Sequence, residues 1–142
     1  MEEYLMMGLA YGLWRRKASA ALEPFGISFQ QYQLVRQARR RGALTLSAAA
    51  RELGMDKPTL SLVARKCVDA GWLTKTDILT DKRASRLSLS GYGEELLDRI
   101  EASRLFSPET LGDALDVLGS EERSELRRMM DRVSRRAKDV FL

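Results

Sequence analysis

The stretch that decides the fold is Thr45-Leu46-Ser47-Ala48-Ala49-Ala50-Arg51-Glu52-Leu53-Gly54-Met55-Asp56-Lys57-Pro58-Thr59-Leu60-Ser61. Thr45 stands where a helix N-cap belongs, with a hydroxyl able to accept from an early amide of the helix it opens. The run behind it reads as helix as far as Leu53. Gly54 then offers the left-handed backbone that stops a helix. Asp56 caps a second helix, and Pro58 is tolerated in its first turn because the missing amide proton has no intrahelical acceptor there. In that helix Leu60, Val63, Ala64 and Cys67 recur at helical spacing and define an inward face. Thr59, Ser61, Leu62, Arg65 and Lys66 are left mostly outward, and Gly71 ends the helix. The reading is two helices joined by a short turn, the second carrying a polar, cationic face of the kind a DNA major groove admits.

Downstream, residues 74–79 and 85–90 alternate in the manner of strands, with Ile78, Leu87 and Leu89 as their apolar partners. The polar stretch 80–84 between them, with Asp81-Lys82-Arg83-Ala84 at its tip, is read as a hairpin loop. Helical periods flank this centre. In residues 2–22 Leu5, Leu9 and Leu13 recur every four residues beside Met6 and Ala10, and Gly8 and Gly12 permit close approach of another helix. Glu23-Pro24-Phe25-Gly26 is a turn. Ser28, with Gln31 three residues on, is a capping box for a helix that turns Tyr32, Leu34, Val35 and Ala38 inward. Arg39-Arg40-Arg41-Gly42 closes it, as helix C-termini favour. From Gly91 a helix carries Leu96, Leu97 and Ile100. Ser107-Pro108 restarts or kinks it. Ser120-Glu121-Glu122 opens a last helix striped by Leu126, Met129, Met130, Val133, Ala137 and Val140. There is no internal repeat.

Composition removes whole classes of chemistry. With one cysteine and no histidine among 142 residues, neither a Cys/His zinc site nor a histidine-dependent triad can be assembled. No metal or cofactor is expected. A carboxylate pair remains formally open to an enzyme, and Asp77 and Asp81 are the nearest such pair, on a turn with no sign of a closed pocket. The net charge of +4 and a pI near 9.5 favour polyanionic partners. The lone thiol fits a reducing compartment. The N-terminal apolar run is too short to span a bilayer, and Met1-Glu2-Glu3 lacks the basic start of a signal peptide, so a cytoplasmic protein is expected.

The chain resembles the MarR family of bacterial transcription regulators. The resemblance is carried by Leu22-Glu23-Pro24-Phe25-Gly26-Ile27-Ser28, by residues 45–53, by Asp56-Lys57-Pro58-Thr59-Leu60-Ser61, by Gly71-Trp72-Leu73, by Asp81-Lys82-Arg83 and by Leu87-Ser88-Leu89-Ser90-Gly91-Tyr92-Gly93. It covers residues 21–93 closely and both terminal helical regions more loosely. The Asp-x-Arg tip and the Leu-Ser-x-x-Gly exit are its most specific pieces. It implies a mainly α fold with a small β-hairpin wing, a winged helix-turn-helix. Residues 23–91 would form the DNA-binding region, and residues 1–22 and 92–142 the helical dimerisation region. The implied function is a DNA-binding regulator, by the family's habit a repressor, that grips a palindromic operator in double-stranded DNA as a homodimer. The unpartnered terminal stripes call for a second copy independently.

Roles follow for named residues. The helix over residues 57–70 enters the major groove with its N-terminal half, and Lys57 belongs to that end. Thr59 and Ser61 either bond phosphates and base edges or are simply first-turn residues. Leu62 departs from the family, many of whose members carry arginine or another polar residue there. It either meets a thymine methyl or, if the helix is rotated, belongs to the core. Arg65 and Lys66 lie toward the DNA backbone. Arg83 is placed in the minor groove, Lys82 and Lys75 on phosphates, and Asp81 is implied to brace the wing by pairing with an arginine. Arg39, Arg40 and Arg41 read as a helix-end charge effect before a DNA contact. Many family members release DNA on binding a small aromatic or phenolic effector, and Tyr11, Trp14, Phe29 and Tyr32 are the candidate lining, against the plainer reading of core aromatics. Cys67, inward, reads as a small buried hydrophobe and not a redox sensor. The competing reading is a winged-helix protein-interaction module without sequence-specific DNA binding, which Leu62 keeps open.

Overall fold

The computed structural model describes residues 1–78 and 81–142, and of Ile78 and residues 81–84 the backbone alone. The elements run α1 (Glu2–Leu22), a 3₁₀ turn (Glu23–Phe25), α2 (Phe29–Arg41), β1 (Leu44–Thr45), α3 (Leu46–Leu53), α4 (Lys57–Asp69), β2 (Leu73–Ile78), β3 (Asp81–Leu89) and α5 (Gly91–Ala102). A short α6 (Pro108–Leu111), a second 3₁₀ turn (Ala114–Val117) and a long α7 (Ser120–Phe141) complete it. It is mainly helical with a small antiparallel sheet, as the sequence predicts.

The caps act where the residue types place them. Ser28 accepts from the Gln31 amide at 3.1 Å while the Gln31 side chain accepts from the Ser28 amide at 2.9 Å, a complete capping box. Thr45 caps α3 through the Ala48 amide at 3.1 Å. Gly54 follows α3 at φ 63°, the left-handed turn on which the two-helix unit depends.

The sheet differs from expectation in two ways. It has a third strand: β1 pairs with β3 through Leu44↔Leu87 and Thr45↔Arg86, giving the order β1-β3-β2. Two residues are too few for alternation to register. The backbone also pairs Ile78 with Asp81, so β3 begins inside the stretch read as a loop. A charged composition suggested a turn, but the ladder continues along an edge where polar residues are tolerated.

One core joins these parts. Leu22, Leu34, Val35, Leu60, Cys67, Leu73, Leu87 and Ile100 are essentially without solvent contact, and Leu96 and Leu97 lie with them. It is built from the C-terminal end of α1, from α2, α3, α4 and α5, and from the sheet, so α4 is fixed by its Leu60, Val63, Ala64 and Cys67 face. The two terminal helices are different. Leu9 on α1 is 66% exposed, and no residue of α7 is buried. No helix among the described residues is long and apolar enough to cross a membrane.

Candidate nucleic-acid interface

Because four apolar side chains anchor one face of α4, the opposite face is dictated. Lys57, Ser61, Leu62, Arg65 and Lys66 are all exposed. Leu62 is 51% exposed, which rules out the alternative that places it in the core. Lys75 on β2 is exposed as well, and it shares a groove of about 310 Å³ with Leu46, Ser61, Ala64, Arg65, Val68 and Leu87. Lys57, Arg65, Lys66 and Lys75 form no ion pair with another described residue. Arg86 on β3 is exposed too and was passed over by the sequence reading. Its signal was the alternation of Ser85, Arg86 and Leu87, which turns the middle residue away from the core.

Thr59 is placed otherwise than expected. It is half-buried. Its amide donates to Asp56 Oδ1 and its hydroxyl to Asp56 Oδ2, both at 2.8 Å. These two bonds, the amide first, hold the Asp56 carboxyl below its usual range. With its proton committed to the cap, the Thr59 hydroxyl retains only lone pairs. It can accept from a base amino group but cannot donate to a phosphate as it stands.

The far end of α4 is held by a compact knot. Ser90 accepts from the Gly93 amide at 3.0 Å, donates its hydroxyl to the Gly71 carbonyl at 2.5 Å, and its amide donates to the Trp72 carbonyl at 3.1 Å. A Cβ on Gly93 would lie 2.2 Å from the Trp72 carbonyl oxygen, so the start of α5 meets the base of the wing with nothing between them. The exit from the wing and the end of α4 are thereby one rigid corner. Asp77, one of the carboxylates weighed for enzymatic chemistry, accepts from the Ser85 hydroxyl at 2.7 Å. The side chains of Asp81, Lys82 and Arg83 lie outside the described residues.

Two of the three arginines at the end of α2, Arg39 and Arg41, are held in ion pairs. Arg39 reaches Asp98 at 3.2 Å, Glu101 at 2.6 Å and Glu94 at 3.6 Å, tying α2 to α5. Arg41 meets Glu52 at 2.7 Å, and Glu52 also meets Lys138 of α7 at 3.2 Å.

A second site lies above the winged unit. Tyr11, Trp14, Phe29 and Tyr32, the four aromatics singled out in the sequence, line one cavity of about 380 Å³ together with Gln33, Arg36 and Phe106. Tyr32 stacks on Phe106 at 4.9 Å, and Trp14 meets Phe29 edge-on at 5.5 Å. Burial raises the Tyr32 phenol's pKa, with Arg36 opposing, so it is a neutral donor at pH 7. Phe106 was missed because it is far in sequence from the other aromatics, whereas Arg36 stands four residues after Tyr32 on α2, a spacing that could have found it. Cys67 is fully buried, and burial pushes its thiol up to about 12.

Comparison with known proteins agrees with this geometry. The chain is 25% identical to the HTH-type transcriptional regulator PecS of Dickeya dadantii (strain 3937) over 123 residues, 84% of this chain and 72% of that protein. A mutant MarR from E. coli, solved in complex with operator DNA, superposes with a TM-score of 0.79 at 17% identity over 94% of each chain. CouR from Rhodococcus jostii RHA1, solved bound to p-coumaroyl-CoA, superposes with a TM-score of 0.77 at 15% identity over 91% of this chain and 89% of that one. At such identities the two structures speak for the fold. The model of the MarR family matches residues 25–84, the capped two-helix unit with its wing.

Proposed function

We propose that the protein is a transcription regulator that binds a palindromic operator in double-stranded DNA as a homodimer, and that it acts as a repressor. The observation that carries this is the exposed face of α4, where Lys57, Ser61, Leu62, Arg65 and Lys66 are presented together with no ion pair to another described residue. A cationic helix of this width fits the major groove, and Lys75 beside it is positioned for a phosphate. Arg83 and Lys82 extend the contact from the wing, Arg83 into the minor groove. The dimer uses residues 1–22 and 92–142, within which Leu5, Leu9 and Leu13 of α1 and Met129, Val133 and Val140 of α7 stay exposed in one chain. Residues 23–91 read the DNA.

The aromatic cavity is the proposed effector site. Its lining offers flat apolar walls, the Tyr32 phenol as donor and the exposed Arg36 as cation, which suits a small aromatic or phenolic anion. CouR, similar in fold, was solved bound to p-coumaroyl-CoA. The protein works in the cytoplasm and carries out no catalysis on this reading.

The test is selection of sites from a random duplex pool at near-physiological salt. Recovery of an inverted repeat with half-sites about one helical turn apart is the expected result. A folded protein that recovers no sequence, before and after stripping of small molecules, supports instead the winged-helix interaction module.

A further inference from the structure

Leu62 is out of place on its own surface. Among the described residues between Ile27 and Glu101, the large apolar side chains left exposed are Leu62 and Tyr92. Tyr92 has a local use, its ring lying 3.5 Å from where a Cβ on Gly71 would stand. Leu62 stands on the α4 face with Thr59 three residues before it, Arg65 three after and Lys66 four after, the spacings that bring helix side chains together. A lone exposed leucine on a random surface needs no explanation. Here its surroundings are cationic and polar, and the opposite face of α4 already supplies the core.

We infer that Leu62 is a specificity-determining residue that selects an A·T base pair in each half-site by contact with the thymine C5-methyl. This rests on the reading of α4 as the DNA-reading helix and deepens it. In the major groove, the thymine methyl is the apolar group a base edge offers; guanine, cytosine and adenine present acceptors and amino donors. A leucine held against those edges desolvates them without replacing their hydrogen bonds. Against a thymine methyl it removes apolar surface from water on both sides. Thr59 points the same way. With its proton given to Asp56, its hydroxyl is an acceptor only, and adenine N6 is one of the two base amino donors in the groove. Arg65, in reach of guanine or phosphate, completes a stripe that runs acceptor, apolar, cation along α4.

The test follows directly from the chemistry. Binding of the full-length protein and of the Leu62→Ala and Leu62→Ser variants is measured on a selected duplex. The same duplex is then remade with each thymine replaced singly by deoxyuridine, which keeps pairing and removes only the methyl. The expected result is one position per half-site at which uracil weakens the wild type about fourfold, the equivalent of about 0.8 kcal/mol for a buried methyl. Neither variant should distinguish thymine from uracil there. Specific binding with no uracil-sensitive position, or with the same sensitivity in Leu62→Ala, overturns the inference and leaves the regulator standing. Absence of sequence-specific binding by the wild type overturns both. Because Leu62 is outside the core, both variants are expected to fold, and thermal denaturation checks this.

Discussion

Gly93 shows how much a single missing methyl group can fix. Its position matters because the Trp72 carbonyl occupies the space a side chain would take. Gly93→Ala must push α5 off the wing base, and it is expected to cost about 1–3 kcal/mol, read as a fall in the midpoint of chemical denaturation. An unchanged midpoint would mean the corner is looser than described. The family resemblance flagged this glycine, but its reason lay in a contact between residues far apart in sequence. Cys67 offers a second check. Its folded pKa, about 12, lies above the ordinary value of 9.0, so the unfolded chain loses the thiol proton first. Its effect on stability is therefore absent below pH 9 and unfavourable as pH rises toward 12. The wild type is expected to lose stability faster than Cys67→Ala above pH 9, and its native thiol to resist alkylation at pH 8. Rapid native alkylation would contradict the reading of Cys67 as an inert buried thiol. Leu62 and Thr59 illustrate the limit of reading by residue type. Periodicity placed both outward, yet only the coordinates reveal that one is open to a partner while the other has its proton committed to a cap.

At the scale of elements, the caps and glycines made α2, α3 and α4 legible almost to the residue, and α5 was legible by its start. Each start combines an oxygen-bearing side chain with an apolar period, and two local signals agreeing are hard to mimic. The third strand was not legible, since β1 is two residues long and owes its existence to β3 arriving beside it. Nor was the break near Ser107 fully so. Arg104 takes a positive φ of 54°, and the chain passes through α6 and a 3₁₀ turn before α7 begins. Arg39 settles one ambiguity of the sequence. Its three carboxylate neighbours on α5 make it a strut between α2 and α5, in keeping with a helix-end role. Arg39→Met is expected to lower stability by about 1 kcal/mol, the upper range for exposed pairs, because a network is lost. The salt dependence of DNA binding should stay unchanged. A shallower salt slope would instead count Arg39 among the phosphate contacts.

For the whole molecule, the unequal fate of its parts is the informative feature. Residues of the central unit find a common core, whereas α1 and α7 meet sparsely, as where Tyr4 touches Phe141 edge-on at 6.4 Å. Leu5, Leu9 and Leu13 on α1, with Met129, Val133 and Val140 on α7, remain exposed. Sequence could show that these stripes exist but not what covers them, because one chain contains only half of the proposed two-fold interface. Leu9→Glu places a charge on that interface twice. It is expected to weaken dimerisation by at least about 3 kcal/mol, two leucines' worth of burial. Sedimentation should then show a dimer for the wild type at micromolar concentration and a monomer for the variant. A wild-type monomer would refute the proposed assembly.

The central claim is that α4 reads the major groove, and methylation interference tests it most directly. Duplexes carrying sparse methylation at guanine N7, in the major groove, and adenine N3, in the minor groove, are partitioned into bound and free. Guanine N7 methylation is expected to block binding within two half-sites about one helical turn apart, where Arg65 and its neighbours approach. Interference confined to adenine N3, or none at either position despite specific binding, would contradict it.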